Sequence, residues 1–312
     1  MNTPSRPVRS KLNSLLRWVD SEATYREEFL SQRRSEWLRV IPFGLVHLTC
    51  LAVFWVGWSP VAVGVALAAY SVRMFAITGF YHRYFSHRTF STSRAAQFIF
   101  ALLGNSALQR GPLWWAAHHR RHHRHSDTEE DVHSPKTRSL FWSHMLWFMT
   151  EYSVPTFLKE VKDLLKFPEL RFLNRFDWIP VVALAASCYG LGSLSFFQTA
   201  TGLNGVTTFI WGFLIPTIFL YHGTFAVNSL AHLFGRKRYK TDDESRNNLW
   251  IALFTLGEGW HNNHHFYPIS ARQGFFAWEI DLTYYLLKLL SLFGIVRDLR
   301  PVPAWVKEKG RS

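Results

Sequence analysis

Between residues 40 and 80 the chain is almost free of charge, and the run is broken once, at Gly57-Trp58-Ser59-Pro60. Each half is close to the ~20 residues that a helix needs to cross a hydrocarbon core. The pattern predicts two membrane spans, over 40–58 and 60–80. Trp55 and Trp58 fall where an interfacial aromatic belt would sit, which favours the membrane over a buried soluble hairpin. Two more apolar stretches, 176–197 and 206–226, are joined by an uncharged connection and predict spans three and four. Residues 95–108 are apolar but short, bounded by Arg94 and Arg110, and read as a re-entrant or buried helix. Residues 111–176 and 227–312 are polar. An apolar interruption at 249–256 and a partly amphipathic segment at 275–293 pack against the bilayer or the domain. The first 39 residues form a polar arm, either a disordered leader or, over 12–19, an amphipathic stretch on the membrane surface. No repeat or linker divides the chain, so 1–312 is expected to be one domain.

Composition adds a charge problem. The 312 residues carry a formal net charge of +13, which suits either a nucleic-acid binder or a membrane protein with a cationic cytoplasmic face. The distribution decides between them. Of 35 Lys and Arg residues, Arg73 alone falls inside a predicted span. The positive-inside rule then puts both termini and every polar segment on the cytoplasmic side. No helix-turn-helix, zinc-finger or RNA-binding signature competes, and no nucleic-acid partner is expected. Arg73 is expected to snorkel or to pair with a polar group inside the bundle. The arm lacks the features of a secretory signal. Cys50 and Cys188 sit in apolar stretches without metal-site spacing and are expected to be unpaired.

The chemistry lies in the histidines. His119, His122 and His123 follow i, i+3, i+4 spacing, which puts three imidazoles on one helix face. The same spacing returns at His261, His264 and His265. A further pair, His82 and His87, stands where the second predicted span ends. Five residues apart, these two are about 140° from each other on an ideal helix, so they share an ion only if the helix ends or distorts there. His232, one turn after Asn228, follows the fourth span. Imidazole is the commonest nitrogen ligand of transition metals. So many histidines exceed one four-coordinate zinc site and suit two metal ions. The plain alternative, a histidine-rich basic surface widened by His118 and His125, leaves the repeated spacing without a reason.

His82-Arg83-Tyr84-Phe85-Ser86-His87, His119-Arg120-Arg121-His122-His123 and Gly257-Glu258-Gly259-Trp260-His261-Asn262-Asn263-His264-His265 resemble the three histidine boxes of the membrane fatty acid desaturases. The stearoyl-CoA (Δ9 acyl-CoA) desaturase type is the most similar. Asn228-Ser229-Leu230-Ala231-His232 resembles that family's additional ligand segment. The resemblance covers roughly residues 40–280. It implies an all-α integral membrane fold, with four transmembrane helices and a cytosolic helical cap carrying a di-iron centre. The implied ligands of the two iron ions are His82, His87, His119, His122, His123, His232, His261, His264 and His265, and Asn228 matches a water-mediated contact. His47, His118, His125, His133, His144 and His222 fall outside that set, with His222 a structural or pocket residue. The implied reaction is O2-dependent insertion of a cis double bond, at Δ9, into a saturated C16–C18 acyl thioester such as an acyl-CoA. Asp127, Glu129, Glu130, Asp131 and Glu258 are candidates to hold the imidazoles, or else a solvated acidic loop for the 127–131 run. Trp114, Trp115 and Trp260 are candidate tunnel walls, or else ordinary aromatic packing.

Two other readings compete. A related di-iron hydroxylase would insert oxygen with the same oxidant. A membrane metal carrier or sensor would place ionisable groups near the bilayer midplane, whereas these histidines gather at and beyond the span ends. No cytochrome b5-like, flavin or iron–sulfur motif is visible, so a separate donor of ferredoxin or cytochrome b5 type is expected. The acyl carrier is CoA, a carrier protein or a phospholipid.

Overall fold

A computed structural model describes residues 16, 19–21 and 34–311. Most of the predicted amphipathic stretch at 12–19 lies outside the described residues. Helix α1 (Trp37–Val56) is capped by the Glu36 carboxylate, which accepts from the Leu38 N–H at 3.3 Å. None of the residues of its first segment, Trp37–Cys50, is buried. At its far end Phe54, Trp55 and Trp58 are 79%, 81% and 75% exposed, an apolar surface suited to lipid rather than water. Positive-φ Gly57 turns the chain, the Ser59 hydroxyl accepts from Ala62 N–H, and Pro60 opens α2 (Pro60–Ser86).

Helix α2 continues past residue 80 through the first histidine box, because its last segment, Ala76–Ser86, is a π-helix with every residue buried. Helix α3 (Arg94–Asn105) is the short apolar element expected at 95–108. It buries Phe100 and Ala101 against α2, with the Phe80 and Phe100 rings stacked at 3.7 Å. Helix α4 (Pro112–His125) carries the second box and packs along the π-helical end of α2. Helix α5 (Pro168–Arg175) follows, burying Leu170 and Leu173 in the same core as Tyr81, Leu113 and Ala117.

The third predicted span differs from expectation. It begins at Ile179 rather than at 176, because Asp177 is held outside by Arg110 at 3.0 Å. It is also broken: α6 (Ile179–Gly192) and α7 (Ser195–Thr201) meet at 77°. Helix α8 (Gly205–His232) runs six residues beyond the predicted end at 226. Three helices, α1, α2 and α8, are therefore long and apolar enough to cross a membrane, and α6 with α7 adds a fourth crossing only as one bent span. Arg73 pairs inside the bundle, donating to the Thr217 hydroxyl at 2.8 Å.

After α8, the apolar interruption forms α9 (Leu249–Phe254), the third box forms α10 (His261–Phe266), and α11 (Leu282–Leu292) lies within the predicted 275–293 segment. A two-residue antiparallel pair, β1 (Ser91–Thr92) with β2 (Val296–Arg297), ties the chain after α2 to the chain after α11. The fold is thus mostly helical, and α4 and α10 meet at the ends of α2 and α8 that carry His82 and His232.

Candidate metal centre

The boxes converge. Nitrogens of His82, His87, His119, His123 and His264 lie within 4.8 Å of one another, and so do those of His122, His232, His261 and His265. The division crosses the boxes. On α4 the i and i+4 residues, His119 and His123, join the first group while His122 joins the second. On α10 His261 and His265 join the second group while His264 crosses to the first. Each H-x-x-H-H helix lies between two sites and serves both.

The π-helix resolves the angular problem at the first box. Its i→i+5 bonding brings residues five apart into register. The His87 amide donates to the His82 carbonyl at 3.3 Å, and the two rings lie 5.0 Å apart. At the third box, Gly257 adopts φ +125, and a Cβ at Gly259 would lie 2.1 Å from the Ala252 backbone nitrogen. Glycine at these positions lets the strand of chain before α10 press onto α9 while Glu258 reaches His82. The two asparagines within the box hold the loops. Asn262 Oδ1 accepts from the Arg238 and Tyr239 amides at 2.8 and 2.7 Å, and Asn263 bonds Asn247 and Glu279.

The donor set fits metal ions. Nε2 of His82 lies 3.0 Å from that of His264, His87 2.8 Å from His119, His264 2.9 Å from His123, and His232 3.0 Å from His261. Nitrogens bound about 2.1 Å from one ion at right angles are about 3 Å apart. The buried Nε2 atoms of His122 and His265 have no hydrogen-bond partner. Carboxylates hold the opposite nitrogens: Asp131 on His122 at 3.0 Å, Asp127 on His232 at 2.9 Å, Asp243 on His265 at 2.7 Å, and Glu258 on His82. Such contacts fix the tautomer that leaves Nε2 free as a ligand. Arg83, fully buried, in turn holds Glu258 at 3.1 Å and Asp281 at 2.9 Å.

Electrostatics favour neutral imidazole. Burial, reinforced by neighbouring histidines, holds His87, His119, His123, His261 and His264 well below the ordinary histidine range. Burial pushes His265 down to about 4, although Asp243 opposes it. His122 is the exception: burial lowers it, but Asp131 together with Asp127 and Asp243 outweighs burial and raises it. Burial alone raises Asp127, Asp131 and Asp243, yet their histidine partners, joined by Ser134 and the Glu244 amide at Asp127 and by Ser245 at Asp243, outweigh it and hold all three below the usual carboxylate range. Ionised carboxylates supply the negative charge that buried metal cations require.

Asp243 was absent from the expected acids, although it stands in the acidic run Asp242-Asp243-Glu244 within a basic segment. Glu129 and Glu130 are not imidazole supports for either group; their side chains are exposed and face Arg138, Arg121 and His125. Outside the two groups, His118 contacts the Pro155 carbonyl at 3.0 Å and His133 contacts Asp131. His47, His222 and His144 form a chain of their own, 3.2 and 3.0 Å apart.

A cavity of about 440 Å³ leads to the first group. Phe43, Trp114, Trp115, Phe148, Tyr221 and Phe225 are among its walls. Trp115, His119, Thr224 and Asn228 also line a smaller void of about 30 Å³ that touches His82 and His261. Trp260 lines neither; it is buried and donates its indole N–H to the Ile280 carbonyl. His222 also lines neither.

Residues 56–290 match the family model described as fatty acid desaturase. An acyl-CoA 5-desaturase of Anemone leveillei is 37% identical over 278 residues, covering 88% of this chain and 82% of the relative. An sn-1 stearoyl-lipid 9-desaturase of Synechocystis sp. is 36% identical, covering 86% and 81%. An sn-2 palmitoyl-lipid 9-desaturase of Nostoc sp. is 33% identical, covering 86% and 91%.

Proposed function

This chain belongs to the fatty acid desaturase family, and on that premise we propose that it inserts a cis double bond at Δ9 of a saturated C16–C18 acyl chain. In balance, –CH2–CH2– with O2, two electrons and two protons becomes –CH=CH– and two waters. The nine histidines, five in one group and four in the other, are the proposed ligands of two iron ions. When bound, these ions supply the oxidising power that an unactivated methylene requires. Asn228, lining both cavities, is the proposed water-mediated contact.

The observation that carries this reading is the partition of nine buried or half-buried imidazoles into two ligand groups beside an apolar cavity. The chain's own residues do the positioning. Asp127, Asp131, Asp243 and Glu258 orient the imidazoles. Trp115 stacks along His119 with ring centroids 5.0 Å apart, and so forms a wall between cavity and ligand group. The aromatic walls exclude water and restrict the bound chain at the point where two adjacent carbons must react.

We further propose one domain over 1–312, four crossings with α6 and α7 as one bent span, and a cytoplasmic cap formed by the polar segments. Both termini and the histidines are then cytoplasmic, as the one-sided Lys and Arg distribution requires. Electrons come from a separate ferredoxin or cytochrome b5-type donor. The thioester implied by the resemblance and an esterified lipid are both carriers named among the relatives. The test is product analysis in a desaturase-free host that co-expresses a donor system. A Δ9 monoene made only with O2 is expected. A hydroxy acid as main product would move the assignment to the hydroxylase, and a monoene made equally well without O2 would remove the oxidative mechanism.

A further inference from the structure

The two ligand groups sit in unequal shells of charge. Three carboxylates hold the four-histidine group: Asp131 on His122, Asp127 on His232 and Asp243 on His265. Among the described residues none of these carboxylates pairs with a Lys or Arg side chain. Backbone amides steady them instead: Asp127 N–H donates to Asp131 at 3.0 Å, Glu244 N–H to Asp127 at 2.7 Å and Ser245 N–H to Asp243 at 2.9 Å. The five-histidine group has one carboxylate on its imidazoles, Glu258 on His82. That carboxylate is shared with the buried Arg83 guanidinium at 3.1 Å, which Asp281 also contacts at 2.9 Å. Among the described residues no carboxylate touches the half-buried His87, His119 or His123.

Two carboxylates against one guanidinium leave the five-histidine shell a single negative charge, where the four-histidine shell has three. The groups therefore differ by one neutral ligand in one direction and by two charges in the other. A divalent cation taken out of water needs anions close by, and a fifth imidazole supplies none. Each carboxylate also orients the imidazole it touches, so three ligands are held in place in one group and one in the other. Placement gives the difference a consequence. His119 lines both cavities and His82 lines the small void, whereas His261 is the one member of the four-histidine group that borders either of them. The group with the larger anionic shell is the one with less contact with the cavities.

We propose that the four-histidine group binds iron first and more tightly, so that a chain holding one iron keeps it away from the large cavity and is inactive. Iron supply then switches the enzyme through the weaker, five-histidine group. This rests on the ligand assignment above. The test titrates Fe2+ into the metal-free full chain without O2 and measures bound iron. Turnover is then read at each point with donor, O2 and either stearoyl-CoA or a distearoyl phospholipid. Two binding phases are expected, at least about tenfold apart in affinity. His232→Ala should remove the tight phase and His87→Ala the weak one. Asp131→Asn, which keeps the shape and removes one charge, should weaken the tight phase about tenfold and leave the weak one unchanged. Turnover should stay near zero through the first equivalent and rise with the second. A single phase for both irons, loss of the tight phase in His87→Ala, or turnover that grows with the first equivalent overturns the inference and leaves the desaturase reading standing. The wild-type curve alone separates one phase from two, whether or not a variant folds. A wild-type chain that binds fewer than two Fe2+ ions brings down the ligand assignment itself.

Discussion

His122 and His125 stand three residues apart on α4, yet only one faces a ligand group. His122 is buried with an unpartnered Nε2, whereas His125 lies at the helix end beside Glu130 at 3.2 Å. His122→Ala is expected to lower desaturation at least about 100-fold and to reduce bound iron, because an inner ligand is lost. His125→Ala should leave most of the activity. Equal losses at equal expression would count against the ligand set. Asp243 gives a finer test, since it touches the imidazole and not the ion. Asp243→Asn keeps the shape but removes the charge that orients His265 at 2.7 Å. About 10- to 100-fold lower activity or iron affinity is expected, the usual cost of such a contact. Unchanged iron retention and turnover would relegate Asp243 to loop structure. The sequence singled out all nine imidazoles but missed this carboxylate, because a partner about 20 residues away in an irregular loop leaves no periodic trace.

Elements decide how those residues meet. Spacing alone puts His82 and His87 on different faces of an α-helix. The π-helical segment at the end of α2 removes that conflict, and nothing in hydropathy announces it. The third box depends on a close approach instead. Gly259 presses against α9, where a Cβ would meet the Ala252 nitrogen at 2.1 Å and the Asn248 carbonyl oxygen at 2.4 Å. Both are backbone atoms and cannot swing aside. Gly259→Ala is therefore expected to destabilise the fold by about 1–3 kcal/mol through overpacking. Because α10 feeds both groups, it should also lower iron at both sites together. Thermal unfolding and iron per chain, measured on the same purified sample, check both parts. A fully stable variant with two irons would show that the approach is looser than its distances imply.

At the scale of the molecule, reporter fusions at Asn2 and Ser312 are both expected to read cytoplasmic, from the one-sided placement of Lys and Arg. A signal from opposite sides would mean an odd number of crossings and would exclude the bent α6–α7 pair as a complete span. Hydropathy was sufficient for α1, α2 and α8, because continuous apolar length is the property that a bilayer selects. It was insufficient for the third predicted span, since a 77° break between two apolar helices leaves composition unchanged. It also extended that segment over Asp177, whose pairing with Arg110 depends on a partner far away in sequence. The sequence by itself determined the clustered histidines and the apolar segments, because both are local and periodic: imidazoles repeat at helical spacing, and apolar helices are uninterrupted runs. Only the tertiary structure decided which histidine joins which group, which carboxylate holds it, and that Trp114 and Trp115 line the cavity while Trp260 does not. Those outcomes depend on how distant helices pack, and packing brings together side chains whose separation along the chain carries no period.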